Sequence, residues 1–115
     1  MGPRVLIVDD HPSFRASARV LLEAEGFDVV GEAAGGRAAL VEAGRLQPEV
    51  VLLDVQLPDI DGFDVASRLS NGAGPDVVLT SSRDSSDFGP LVARSGARGF
   101  VPKAELSGAR IHELL

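Results

Sequence analysis

Apolar residues fall in short, dense runs along this chain. Val5–Val8, Val50–Leu53 and Val77–Leu79 are unbroken, while Phe27–Val30 and Gly99–Val101 are weaker. Side chains alternate between the two faces of a strand, so runs apolar at consecutive positions predict strands buried on both faces, as in a parallel sheet. Between the runs the period lengthens. Phe14, Ala18, Leu21 and Leu22 follow i, i+4, i+7, i+8 and mark one face of a helix that Gly26 ends. Leu40, Ala43 and Leu46 predict a second helix, closed by Pro48. Val65, Ala66 and Leu69 predict a third, ended by the turn Asn71-Gly72. Phe88, Leu91 and Val92 predict a fourth, ended at Gly96, and Ser107, Ile111 and Leu114 a fifth that runs to the last residue. Gly89-Pro90 falls where the fourth helix should begin. Proline inside a helix removes a hydrogen bond, so that helix should start near Pro90 or be short.

Five strands alternating with five helices predict an α/β fold. The expected class is a flavodoxin-like, doubly wound five-stranded parallel sheet of order 2-1-3-4-5. Ligands of such folds bind at the carboxyl ends of the strands, where the order switches between strands 1 and 3. Length agrees: 115 residues make one domain, 1–115, with no linker or repeat.

Composition removes several classes of function. There are no cysteines, hence no disulfides and no thiolate metal site. No apolar run approaches the ~20 residues of a membrane span, and MGPRVLIVDD does not resemble a signal peptide. The expectation is a cytoplasmic protein without membrane contact. A formal charge of −6 argues against direct nucleic-acid binding. The basic residues are ten arginines and one lysine, Lys103.

The polar residues at the predicted strand ends carry the chemistry. Asp9 and Asp10 follow strand 1, Asp54 ends strand 3, Thr80 and Ser81 end strand 4, and Lys103 follows strand 5. All would lie on one edge of the sheet. Three carboxylates together repel one another unless a cation joins them. Hard oxygen donors open to water suit Mg²⁺. A carboxylate can also act as a nucleophile toward phosphorus, with an ammonium and a hydroxyl to meet the phosphoryl oxygens.

Each residue has a plainer reading when taken alone. Asp9 and Asp10 could cap a helix that Pro12 begins. Lys103 could be a surface lysine, although a compact ammonium suits a point contact with phosphate. His11 reads as a partly exposed bystander at a helix start, and His112 as a surface residue. Asp59 and Asp61 flank Ile60, and Asp61-Gly62 is a turn and helix start. Gly35-Gly36 lacks the spacing and lysine of a phosphate loop.

With VLIVDDHPSFR, VVLLDVQLPDIDG, VVLTSS and GARGFVPK in this order, the chain resembles the receiver domain of two-component response regulators over nearly its whole length. The opening DDHPSFR resembles the subgroup usually joined to a LuxR-type helix-turn-helix DNA-binding domain. The resemblance implies a switch rather than an enzyme. A sensor histidine kinase would phosphorylate Asp54 with Mg²⁺, and the strand 4, helix 4 and strand 5 face would respond, in control of transcription. Asp10 matches the direct Mg²⁺ ligand, Asp9 the residue that holds the ion through water, and Gln56 the position whose backbone carbonyl binds it. Thr80 matches the switch hydroxyl, Lys103 the phosphoryl-pairing lysine and Phe100 the switch aromatic. Gln56 and Ser82 match positions that tune the lifetime of the phosphorylated state. DNA would be reached only through an effector domain absent from this chain. A homodimer is possible, with Phe100 and Ile111 as surface candidates. Ala104 stands where many receivers have proline after a cis bond. A cis Lys-Ala bond would cost ~3 kcal/mol, so trans is expected.

Two other readings compete. One is a pseudo-receiver, a protein-interaction module with the same fold. The other is a phosphatase of the haloacid-dehalogenase type, against which Gln56 counts, because those enzymes place an aspartate two residues after the nucleophile.

Overall fold

The structure, a computed structural model, describes residues 2–71, 74–82 and 88–115. In chain order the elements are β1 (Arg4–Val8), α1 (Pro12–Ala24), β2 (Asp28–Ala33), α2 (Gly36–Leu46), β3 (Val50–Asp54), α3 (Gly62–Leu69), β4 (Asp76–Ser81), α4 (Gly89–Arg94), β5 (Gly99–Pro102) and α5 (Gly108–Leu114). The strands form one parallel sheet of order β2-β1-β3-β4-β5, as the alternating pattern predicts.

Alternation along the strands builds two cores. Leu6, Val8, Val51, Leu53, Val77 and Leu79 face Ala39, Ala43, Val65, Ala66 and Leu69 of α2 and α3. Their neighbours Val5, Ile7, Val50, Leu52, Val78 and Val101 face Ala18 and Leu22 of α1 and Ile111 of α5. With both faces covered, the central strands have no position left for exposed polar side chains. Polar groups collect beyond the strand ends.

Helix boundaries follow local chemistry. Gly26 has φ +93°, which lets the chain reverse after α1 into β2. Asp61 caps α3 by accepting the Phe63 N–H at 2.8 Å. A Cβ at Gly62 would collide with the backbone of Asp54 and Val55, so α3 can start this close to β3 only with glycine. Pro90 sits in the first turn of α4, which is six residues long, so the short fourth helix agrees with its sequence. Gly72, expected to end α3, lies outside the described residues; α3 ends at Leu69.

Two expectations need correction. β2 begins and ends later than Phe27–Val30, reaching Ala33 through Gly31 and Glu32. It is an edge strand, so backbone pairing to β1 sustains it where apolar burial does not. Ile111 is not a surface residue: it is fully buried against the second core and cannot serve a dimer face. Among the described residues every peptide bond is trans, Lys103–Ala104 included. No helix among them is long and apolar enough to cross a membrane.

Candidate phosphoryl and metal site

Register places the acidic residues together. β1 and β3 are neighbours, with Val8 beside Leu53, so the residues that follow them, Asp9 and Asp54, leave the sheet side by side. Asp54 pairs in register with Thr80, and Thr80 with Val101 two residues before Lys103. The Asp9 N–H donates to the Ala33 carbonyl at 3.0 Å, which keeps the first acidic residue tied to β2.

Lys103 bridges two of the carboxylates. Its Nζ stands 2.6 Å from Asp9 Oδ2 and 3.1 Å from Asp54 Oδ2. The Asp9 side chain is 0% exposed, that of Asp54 4% and that of Lys103 17%. The ammonium also lies 4.4 Å from the centre of the Phe14 ring, a cation–π contact that closes its outer side. The Gln56 N–H donates to Asp54 Oδ1 at 2.9 Å. Asp10 is exposed at the rim.

The electrostatics follow from that arrangement. Burial pushes the Asp54 carboxyl up; the Gln56 N–H opposes it, but the neighbouring Asp9 adds to it, and the carboxyl stays above its ordinary range. Burial also works against charge on Asp9. There the Lys103 ammonium and the His11 N–H outweigh it and hold the carboxyl below its ordinary range. Burial alone would lower Lys103, but the two carboxylates hold its ammonium above the usual value.

His11 is not the bystander expected. Its N–H donates to Asp9 Oδ1 at 2.8 Å, and its ring Nδ1 lies 3.0 Å from that oxygen and 3.1 Å from Asp10 Oδ1. The plainer reading of the acidic pair also fails. His11, not Asp9 or Asp10, occupies the N-cap of α1, and no side chain caps that helix.

The described residues fit a divalent cation. One ligand atom each from Asp9, Asp10, His11 and Asp54 lie within 4.8 Å of one another. Asp9 Oδ2 is buried and faces the Lys103 ammonium, which Asp54 shares. One ammonium among three clustered carboxylates leaves negative charge that is costly unless a further cation answers it.

The Thr80 hydroxyl is not turned into this cluster. It is fully buried and donates to the Val101 carbonyl at 2.7 Å, across to β5. Phe100 is half-buried, with its ring 5.8 Å from Phe88, which lies 5.5 Å from Phe63. Ser82 is exposed, and His112 is exposed although its ring lies 4.8 Å from Phe27.

Two supports were not anticipated. Arg15 donates from Nη1 to the Asp9 carbonyl at 2.6 Å, while its Nε pairs with Glu32 at 3.1 Å. Arg19 holds the other Glu32 oxygen at 2.7 Å. Asp59 accepts the Gly36 and Arg37 N–H groups at 2.7 and 3.0 Å, tying the loop after β3 to the start of α2. That is why Gly35-Gly36 offers no free anion site. The Arg15 position lies within DDHPSFR and was readable as a residue but not as a contact. The Asp59 bond joins positions far apart in sequence, with no local signal.

Comparison with known proteins agrees with this geometry. Residues 5–115 match the family model described as response regulator receiver domain. The DNA-binding response regulator MtrA of Mycolicibacterium smegmatis is 41% identical over 106 residues, covering 90% of this chain and 45% of MtrA. BvgA of Bordetella pertussis is 40% identical over 116 residues, covering 100% of this chain and 54% of BvgA. The chain thus spans about half the length of these relatives. The crystal structure of a two-component response regulator of the LuxR family from Aurantimonas sp. SI85-9A1 superposes with a TM-score of 0.87 at 30% identity, covering 99% of this chain and 86% of that one. The chain belongs to the response regulator receiver domain family.

Proposed function

We propose that this chain is a phospho-accepting receiver in which Asp54 takes a phosphoryl group from a sensor histidine kinase. The observation that carries the reading is the Lys103 ammonium spanning Asp9 and Asp54, all three side chains withdrawn from water. Buried charges held at one edge of a sheet are costly to the fold, and such clusters concentrate at functional sites.

The step is an in-line displacement. A carboxylate oxygen of Asp54 forms the new bond to phosphorus while the bond to the kinase histidine breaks, and that imidazole leaves with the electron pair. The Gln56 N–H on Oδ1 fixes the plane of the Asp54 carboxylate. Lys103 already contacts Oδ2 and supplies positive charge where phosphoryl oxygens arrive. Asp9, Asp10, Asp54 and the Gln56 carbonyl are the groups assigned to Mg²⁺. When bound, that ion neutralises the carboxylates and the phosphoryl oxygens together.

Thr80 is the switch hydroxyl in this reading. Its bond to Val101 is the arrangement before phosphorylation. Turning toward the phosphoryl group would release the β5 carbonyl and let Phe100 repack against Phe88. The signal is then an electrostatic event at Asp54 that biases the β4, α4 and β5 face. A kinase partner places the chain in the cytoplasm. The DNA-binding name of MtrA suggests an effector domain as the recipient of that signal.

Incubation with Mg²⁺ and a small acyl phosphate, read by intact mass, tests the assignment. Wild type should gain one phosphoryl group and Asp54→Ala none. No adduct on wild type, or an equal adduct on Asp54→Ala, overturns it.

A further inference from the structure

Carboxylates, carbonyls and water make an all-oxygen site, and magnesium needs nothing more. This cluster contains one donor of a different kind. His11 Nδ1 stands 3.0 Å from Asp9 Oδ1 and 3.1 Å from Asp10 Oδ1. Two donors on adjacent corners of an octahedral ion with bonds of about 2.1 Å lie about 3 Å apart, the bond length times the square root of two. The two separations from Nδ1 are those of hydrogen bonds and equally those of neighbouring donors on one ion.

A second observation comes from the buried side of the cluster. Asp9 is 0% exposed, and the Lys103 ammonium 2.6 Å from its Oδ2 is shared with Asp54 Oδ2 at 3.1 Å. Three carboxylates, with ligand atoms within 4.8 Å of one another and of a His11 nitrogen, thus meet a single ammonium, which leaves negative charge for a divalent cation to answer.

We propose that His11 Nδ1 is a ligand of the divalent cation in this site. The nitrogen gives the site a higher affinity for ions such as Ni²⁺ and Mn²⁺ than its oxygens alone would provide. The inference rests on the reading that Asp9, Asp10 and Asp54 hold such an ion. Imidazole favours first-row transition ions, whereas carboxylate and carbonyl donors suit Mg²⁺ equally well without it. Without an ion, the ring nitrogen facing the carboxylates carries the proton and donates to them. With an ion, the proton resides on Nε2, and a side chain 64% exposed leaves that nitrogen room to meet water.

The chain suits a spectroscopic test, because it has two histidines and no cysteine. Mn²⁺ bound to the full chain, in the slot from which excess Mg²⁺ displaces it, is examined by electron spin-echo modulation. Wild type should show modulation from a directly bound imidazole nitrogen. The signal should vanish in His11→Gln and persist in His112→Gln. Ni²⁺ affinity, measured by calorimetry, should fall on the order of tenfold or more in His11→Gln, with Mg²⁺ affinity changing by less than about twofold. An ion that binds wild type and is lost in Asp10→Asn, but without the nitrogen signal, overturns the His11 assignment and leaves the metal reading standing. A nitrogen signal that survives His11→Gln overturns it too. Failure of wild type to bind Mn²⁺ at all overturns both.

Discussion

The two edges of this sheet carry the same kinds of charged residue and use them differently. At the amino edge, Arg98 pairs with Asp76 at 3.1 Å and Arg4 lies 3.8 Å from Glu49. Those four side chains are 42–59% exposed. At the carboxyl edge, Lys103 pairs with Asp9 at 2.6 Å and Asp54 at 3.1 Å, with side-chain exposures of 17%, 0% and 4%. Distances hardly separate the two sets. Solvent does. Water and salt screen the first set, so each pair adds little to the fold. The second set is out of water, where a charge without its partner is expensive and the pair itself need not stabilise. A fold needing only stability gains nothing from three carboxylates and an ammonium at that edge. The arrangement makes sense as a place where charge is meant to change.

Removing the bridge is the largest perturbation. Lys103→Ala leaves Asp9 buried without its cation and takes the ammonium from Phe14. Breaking a buried pair by removing one partner typically costs ~3 kcal/mol or more. Chemical denaturation in chelator should show a loss of that order. The double variant Lys103→Ala, Asp54→Asn should recover part of it, because one of the two stranded carboxylates is gone. A loss no greater than at the exposed pairs would erase the contrast between the two edges.

Removing a carboxylate should act in the opposite direction. Asp54 has its folded pKa raised above the ordinary value of 3.8, by burial and by Asp9. Such a group supports the fold fully when protonated, below its unfolded pKa, and that support is lost as pH rises through the folded pKa. Asp54→Asn carries no such group. In chelator its stability advantage over wild type should be absent well below pH 3.8, grow as pH rises, and level off above the folded value. Asp9 is lowered in the folded state chiefly by Lys103 and the His11 N–H, which both proteins keep, so the difference between them retains the sign set by Asp54. Paired melts across pH check this. An advantage that shrinks with rising pH contradicts the direction.

Much of the fold was readable because buried parallel strands impose a simple demand. Val5–Val8 and Val50–Leu53 must be apolar at every position, since helices cover both faces. β2 was misplaced because an edge strand is relieved of that demand, and Glu32 can sit within it while two arginines hold its carboxylate. The site was readable where a strand end fixes it: Asp9, Asp54 and Lys103 converge because β1, β3 and β5 end on one side. What depends on rotamers was not. Thr80 is where its strand puts it, but its hydroxyl chooses the β5 carbonyl. His11 looked like an exposed helix start, and it is one, yet its ring folds back onto the two residues before it. Ile111 fits a helical stripe, but the stripe does not say which side the sheet lies on.

The smallest effect is the control that gives the comparison its meaning. Asp76 and Arg98 open β4 and precede β5, each about half exposed, and their ion pair crosses the edge where the strands begin. Asp76→Ala and Arg98→Ala should each cost a few tenths of a kcal/mol, and the double variant about the sum, because coupling between exposed charges is weak and screened. Salt should reduce even that. The backbone bonds at this edge, Asp76 N–H to Glu49 O at 2.9 Å and Arg98 N–H to Val77 O at 2.8 Å, survive both changes. They hold the strands in register whether or not the side chains pair. A cost at Asp76 approaching that at Lys103 would mean that chemistry rather than burial sets the energy of these ion pairs, and the charge at the carboxyl edge would no longer mark that edge as functional.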